Sequence, residues 1–249
     1  MKPLPDDILF GIHPVSEALA AGRRKIQEIF IAPDRPGTKI QQIIDDARNA
    51  DIPIHQQTRE SLQGLAGTDA HQGIAARVSV FPASSCSDLL TAPGPPSIFL
   101  MLDSIMDPHN LGALIRTALC VGVKGVIIPK DRSAGPTPVV SKTSAGALEH
   151  ILLARVTNLV SAMKDLKKAG GWIIGLDGAA SQSIYDTDFT GTAVIVIGGE
   201  GAGLRPLVKR ECDFLTRIPM APVAINSLNA SVAGGVVLYE ALRQQQLNT

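Results

Sequence analysis

The sequence predicts an α/β protein of two domains: a compact N-terminal α/β unit and a larger C-terminal domain built on a parallel sheet. Three observations carry that expectation. Short apolar runs alternate with helical patterns along nearly the whole chain. Beyond residue 97 the strand-like runs are continuously apolar, which suits strands buried on both faces between helices. Between the two patterns, Phe81 to Ser97 is rich in Pro, Ser, Ala and Gly without strong periodicity, and so reads as a linker. The expected division is therefore residues 1–80, a linker at 81–97, and residues 98–249.

In chain order, Pro14 to Ala21 is helical, Ile26 to Ile31 extended, Ile40 to Ala50 helical and Ile52 to His55 extended. A helix over Arg59 to Leu65 and a strand over Ile74 to Val80 complete the first unit. After the linker come strand Ile98 to Leu102, helix Asn110 to Val121, strand Gly125 to Ile128 and a Ser/Gly/Pro-rich loop from Asp131 to Pro138. Helix Ser141 to Leu148, strand Leu152 to Val156, helix Leu159 to Ala169 and strands Trp172 to Leu176 and Ala193 to Ile197 follow. Helix Leu207 to Glu211 and strand Phe214 to Ile218 lead into a last helix, where Leu228, Val232, Val236, Tyr239 and Leu242 recur at helical spacing. Gly234 and Gly235 inside that helix cost about 2 kcal/mol relative to alanines. With Ala230 and Ala233 they form a small-residue surface for close approach by the same chain or by a second copy.

Composition narrows the class. At 45% hydrophobic and 18% charged residues the chain is an ordinary globular protein. No apolar run reaches the ~18 residues that span a bilayer. Met1 to Phe10 carries acids and prolines where a signal peptide has a basic start and an apolar core. A cytoplasmic protein with no membrane contact is expected. Three scattered cysteines, Cys86, Cys120 and Cys212, and the lack of zinc-site spacing argue against disulfides and against a metal. Net charge is zero, so any nucleic-acid surface is local. Arg23-Arg24-Lys25, Lys164 with Lys167 and Lys168, and Arg205 with Lys209 and Arg210 read as solvated faces.

Three loops carry candidate chemistry. In the first, a strand ends in Leu102-Asp-Ser-Ile-Met-Asp-Pro-His-Asn110, a helix begins, and Arg116 projects about two turns in. Asn110 could cap the helix or act in a site. In the second, strand Val194 to Ile197 opens into Gly198-Gly-Glu-Gly-Ala-Gly203, and Pro206 is placed to start a helix. Its glycines are spaced two apart, so the dinucleotide fingerprint fails, and no Walker loop is present. In the third, Ser227, Asn229 and Ser231 crowd a helix start that needs one cap.

Together the loops resemble the three motifs of the SpoU (TrmH) family of RNA ribose 2'-O-methyltransferases, in the SPOUT class. Asp107-Pro-His-Asn-Leu-Gly with Arg116 is similar to the first motif, Ile197-Gly-Gly-Glu-Gly-Ala-Gly-Leu to the second, and Asn226-Ser-Leu-Asn-Ala-Ser-Val-Ala to the third. Gly11-Ile-His-Pro-Val-Ser-Glu-Ala-Leu19 resembles the start of the small substrate-binding domain in the branch that methylates guanosine in 23S rRNA. The resemblance implies a ribosomal protein L30e-like N-terminal RNA-binding domain, a trefoil knot near the C-terminus, a homodimer, and S-adenosylmethionine as methyl donor without a metal. It implies an RNA partner, 23S rRNA or a large-subunit precursor, with transfer RNA as the alternative substrate and a non-catalytic assembly factor as the alternative function. By motif position it implies catalytic roles for Arg116, Asn110, Glu200, Ser227 and Asn229. The donor is expected at Leu176, Asp177, Gly178, Ile197, Gly198, Gly199, Gly203, Ile218, Met220, Ser227, Leu228 and Asn229.

Overall fold

The computed structural model describes residues 6–34, 37–91, 97–221 and 227–247. Their elements run β1 (Asp6–Phe10), α1 (Ile12–Ala21), β2 (Ile26–Ile31), α2 (Thr38–Asn49), β3 (Ile54–Gln56), α3 (Arg59–Ala66) and β4 (Ile74–Ser79). Then follow α4 (Cys86–Thr91), β5 (Ile98–Asp103), α5 (Pro108–Cys120), β6 (Gly125–Pro129), α6 (Pro138–Thr143) and a 3-10 turn (Ala147–Glu149). β7 (Leu153–Val156), α7 (Leu159–Lys168), β8 (Trp172–Leu176), β9 (Gln182–Ser183) and β10 (Ala193–Gly198) lead to α8 (Pro206–Glu211), β11 (Phe214–Arg217) and α9 (Ala230–Leu247). The chain divides into two compact units, residues 1–82 with 136–150, and residues 83–135 with 151–249.

The first unit is a four-stranded sheet in the order β1-β4-β2-β3, antiparallel except for the β2–β3 pair. Alternation along the strands covers both faces. Leu9, Ile29, Ile74 and Val78 meet Val15 and Ala18 of α1 and Ile43 and Ala47 of α2. Their neighbours Phe10, Phe30 and Ala75 turn the other way, onto Leu62 of α3. β1 is an element that the sequence pattern misses, because Asp6 and Asp7 interrupt the apolar run of an edge strand.

Residues 136–150, expected as part of the C-terminal domain, group with residues 1–82. The helix read there over 141–148 is α6 followed by left-handed Ala145 and Gly146 and the 3-10 turn. A side chain at Gly146 would collide with Glu17. Glu149 is fully buried and pairs with Arg24, itself 4% exposed. The reading of Arg23-Arg24-Lys25 as a solvated face is thus corrected at Arg24.

The second unit is a seven-stranded parallel sheet in the order β7-β6-β5-β10-β8-β11-β9. Phe99, Met101, Ile127, Val194 and Val196 face Leu89 of α4, Leu159, Met163 and Leu166 of α7 and Val208 of α8. The stretch read as a linker therefore contains an ordered helix whose Leu89 is fully buried; residues 92–96 lie outside the described residues. Other basic residues read as solvated are paired as well, Lys167 with Glu211 and Asp213 at 3.3 and 2.9 Å, and Lys209 with Asp177.

On the opposite face, α9 packs against α5 and β10. A Cβ on Gly234 would lie 2.2 Å from Leu114 Cδ2 and 3.0 Å from Ile197 Cδ1, whereas one on Gly235 would meet nothing within 4 Å. Gly234 is thus the close-approach glycine, and the approach is by the same chain. Gly234→Ala is expected to destabilise the protein by about 1–3 kcal/mol through overpacking. Gly235→Ala is expected to stabilise it by up to about 1 kcal/mol through helix propensity. Urea unfolding of the two variants checks the contrast, and equal midpoints would contradict the packing.

Candidate active site

The strand order reverses between β5 and β10, and crevices at such reversals, outside the C-terminal strand ends, are where ligands bind in parallel sheets. Three loops arise there. After β5, Asp107 caps α5 by accepting a hydrogen bond from His109 N at 3.0 Å, with Pro108 in the first turn. Asn110 is not needed as a cap. Its side chain, on a residue only 7% exposed, is left for other partners.

After β10 the chain folds back tightly. Gly203 N donates to Gly199 O at 3.0 Å, and Gly201 and Gly203 hold positive φ angles of 75° and 63° that side chains rarely adopt. A Cβ on Gly198 would lie 2.2 Å from the carbonyl carbon of Gly203. Beyond the loop, Arg205 donates from its backbone N and its Nε to the fully buried carboxylate of Asp103, at 2.8 and 2.6 Å. Both ends of the glycine loop are thereby held, and Glu200 stands at its tip.

The third loop leads into α9. Asn229 Oδ1 accepts from Ser231 N at 2.9 Å and Val232 N at 3.4 Å, so Asn229 is the cap of α9. Its amide faces the other two loops. Asn229 Nδ2 donates to Glu200 Oε1 at 2.7 Å and to Asn110 Oδ1 at 3.0 Å, and Asn110 Nδ2 donates to the same Glu200 oxygen at 2.7 Å. One carboxylate oxygen and two amides from three distant stretches form a closed triangle.

The other two expected catalytic residues stand apart from it. Ser227 is exposed and lines the neighbouring cavity, with no hydrogen bond among the described residues. Arg116 lies six residues beyond Asn110 on α5, about 9 Å along the axis, exposed and with no ion pair among the described residues. Asn226, the first residue of the third motif, lies outside the described residues.

Beside the triangle opens a cavity of about 710 Å³, a size that suits a small-molecule ligand. Leu176, Asp177, Gly178, Ile197, Gly198, Gly199, Gly203, Ile218, Met220, Ser227, Leu228 and Asn229 all line it, as does Glu200. Lys209 lines it too, and was missed because its partner Asp177 is distant in sequence. The hydrogen bond from Lys209 holds the Asp177 carboxyl below the usual carboxylate range. Among the described residues no group of His, Cys, Asp and Glu is placed to hold a metal ion, and no helix is long and apolar enough to cross a membrane.

Comparison with known proteins bears on this geometry. Residues 97–239, which take in all three loops, match the model of the SpoU rRNA Methylase family. The chain belongs to the SpoU methylase family. Residues 8–82, which hold β2 to β4 and the end of β1, match the model for RNA 2'-O ribose methyltransferase substrate binding. The chain is 40% identical over 242 residues to 23S rRNA (guanosine-2'-O-)-methyltransferase RlmB of Xylella fastidiosa, covering 96% of this chain and 97% of that protein. It is 40% identical over 248 residues to RlmB of Photobacterium profundum, covering 98% and 100%. Among solved structures of SpoU proteins, AviRb from Streptomyces viridochromogenes in complex with the cofactor AdoMet shares the fold, with a TM-score of 0.83 at 24% identity over 98% of this chain and 92% of that one.

Proposed function

We infer that this protein transfers a methyl group from S-adenosylmethionine to the 2'-hydroxyl of a guanosine ribose in 23S rRNA. The observation that carries the reading is the triangle of Asn110, Glu200 and Asn229 at the wall of one cavity, in a chain 40% identical along nearly its whole length to proteins named for that reaction.

The cavity fits the donor. Gly198, Gly199 and Gly203 bring bare backbone to its wall, Leu204, Met220 and Leu228 give apolar surface, and Asp177 with Lys209 offers both charges for polar groups. Bound there, the donor supplies a methyl group on a sulfonium, whose positive charge is lost on transfer. A ribose hydroxyl is a poor nucleophile, so the chain has to orient it and help its proton leave. Glu200 fixes the amides of Asn110 and Asn229, and these position the ribose. Ser227, at the mouth of the cavity, completes the contact. The guanidinium of Arg116 binds the phosphate next to the target ribose and polarises the hydroxyl; its exposure and lack of an ion pair among the described residues support that role. A calorimetric titration tests the site: S-adenosylmethionine is expected to bind and NAD to give no signal, and the reverse would contradict the reading.

Residues 1–80 serve as an L30e-like RNA-binding domain, which the substrate-binding match supports. Residues 83–135 with 151–249 catalyse, and the C-terminal stretch is threaded as a trefoil knot. Convergence of the segments at 176–178, 197–204, 218–220 and 227–233 on one cavity supports the knot. The protein works in the cytoplasm, with its rRNA, and as a homodimer. The dimer is supported by α9, whose Val232 and Tyr239 are 52% and 55% exposed although the opposite face of the helix is already packed. Val232→Glu with Tyr239→Glu is expected to give monomers in sedimentation experiments at micromolar concentration. A dimer that survives both changes would place the interface elsewhere.

A further inference from the structure

The C-terminal edge of the second unit's sheet carries a group of cations that the site above does not use. Lys130 follows β6, Arg132 lies in the next loop, and Arg155 belongs to neighbouring β7. Arg155 Nη2 donates to Lys130 O at 3.1 Å, so the guanidinium is held beside the loop. Ala134 N and Ser133 Oγ donate to Ile105 O at 2.8 and 3.2 Å, tying the other end of the loop to the turn that leads into Asn110. All three cations are exposed, and none pairs with a carboxylate among the described residues. Of the nearby acids, Asp107 is engaged in capping α5, which leaves Asp131 as the single counter-charge in the loop.

Arg132 holds a φ of 56°, in the left-handed region that a residue with a side chain rarely adopts. Three anchoring hydrogen bonds hold the loop in a shape that includes this strained, outward-facing arginine. Placement matters as much as charge. The cavity occupies the β10, β8 and β11 side of the reversal in strand order, the cations occupy the β6 and β7 side, and Asn110 stands at the boundary.

We propose that Lys130, Arg132 and Arg155 form a phosphate-binding rim that grips the RNA backbone flanking the target ribose. The proposal rests on the RNA reading above and assigns that reading a surface. Guanidinium and ammonium groups make charge-assisted hydrogen bonds to the non-bridging phosphate oxygens. Such contacts fix register without reading sequence, and they release counterions, which makes binding salt-dependent.

The test is direct binding of the full-length protein to a 23S rRNA transcript fragment and to an unrelated RNA of equal length, over a range of salt concentrations. The variant is Lys130→Gln with Arg132→Asn, since Asn tolerates left-handed backbone. Two lost contacts are expected to flatten the slope of log K against log salt by about 1.4 to 1.8, and to weaken both RNAs more than tenfold near 0.1 M salt. Binding of S-adenosylmethionine is expected to stay at the wild-type value. Lys130→Gln alone is expected to give about half the slope change, which covers the case where the double variant folds poorly. Wild-type slope and affinity in folded variants would overturn the rim while leaving the methyltransferase reading intact. A wild-type protein that binds RNA but transfers no methyl would overturn that reading, and the slopes would still decide the rim. A wild type that binds neither RNA overturns both.

Discussion

Asn229→Ala is expected to slow methyl transfer by about 10²-fold, the scale of a misplaced reacting group, and to lower stability by about 1 kcal/mol through loss of the α9 cap. The two effects come from opposite ends of one amide. Its oxygen caps α9 through Ser231 N and Val232 N, while its nitrogen holds Glu200 and Asn110. Asn229→Asp separates them. An aspartate keeps the cap, and gains from the helix dipole, but sets a second carboxylate against Glu200 in place of a donor. The expected result is a protein that unfolds in urea at a higher midpoint than the alanine variant, because the cap survives, yet transfers methyl as slowly. Near-normal turnover in Asn229→Asp would remove Asn229 from the machinery. Arg116→Ala, outside the triangle, is expected to lower kcat/KM for RNA without altering stability.

Arg24→Met is expected to destabilise the protein by about 3–5 kcal/mol, the usual effect of leaving one partner of a buried ion pair alone. Arg24 donates from Nε to Ser79 O at 2.9 Å and pairs through its two terminal nitrogens with Asp7 and with Glu149. Its side chain is fully buried, and that of Glu149 is 1% exposed. Glu149 Oε1 also accepts from Ser141 Oγ at 2.8 Å, while Oε2 has no partner among the described residues. Burial pushes the Glu149 carboxyl up from its ordinary value, and Arg24 is the largest influence opposing that shift. Without Arg24 the folded protein takes up a proton there more readily than the unfolded chain does. The deficit is therefore expected to be smallest at pH values below the ordinary carboxylate range and to grow as pH rises toward neutral. Adding Glu149→Leu to Arg24→Met is expected to recover most of the loss at neutral pH, because an apolar pair of similar volume can replace a buried ion pair. Additive losses in this cycle would show that the two side chains act independently.

Particular residues show how far the sequence could be read. Continuous apolar runs revealed the central strands β5, β6 and β10, since those strands are buried on both faces and their pattern is local, whereas β9, the polar pair Gln182–Ser183 at the sheet edge, has no such run and escaped it. Asn110 stayed ambiguous because Asp107, three residues earlier, is an equally good cap, and only the structure shows which of them does that job. The stripe of Leu228, Val232, Val236, Tyr239 and Leu242 looks like a buried face, yet Leu228, which precedes α9, and Val232 and Tyr239 are exposed, Val236 and Leu242 are half-buried, and Ala230, Gly234, Val237, Leu238 and Ala241 face inward. A helix apolar on both sides offers two stripes of the same period, and periodicity cannot choose between them. Arg24 and Lys209 read as surface charges because their partners Glu149 and Asp177 are far away in sequence. Small and polar residues hid α4, whose Leu89 and Cys86 pack on the core of the second unit.

The measurement that tests the central claim most directly is transfer of labelled methyl from S-adenosylmethionine to unmodified 23S rRNA and, separately, to unmodified transfer RNA, followed by mapping of alkali-resistant positions. The account predicts label at a 2'-O-methylated guanosine of 23S rRNA and none in transfer RNA. Label confined to transfer RNA, or label in neither, would contradict it.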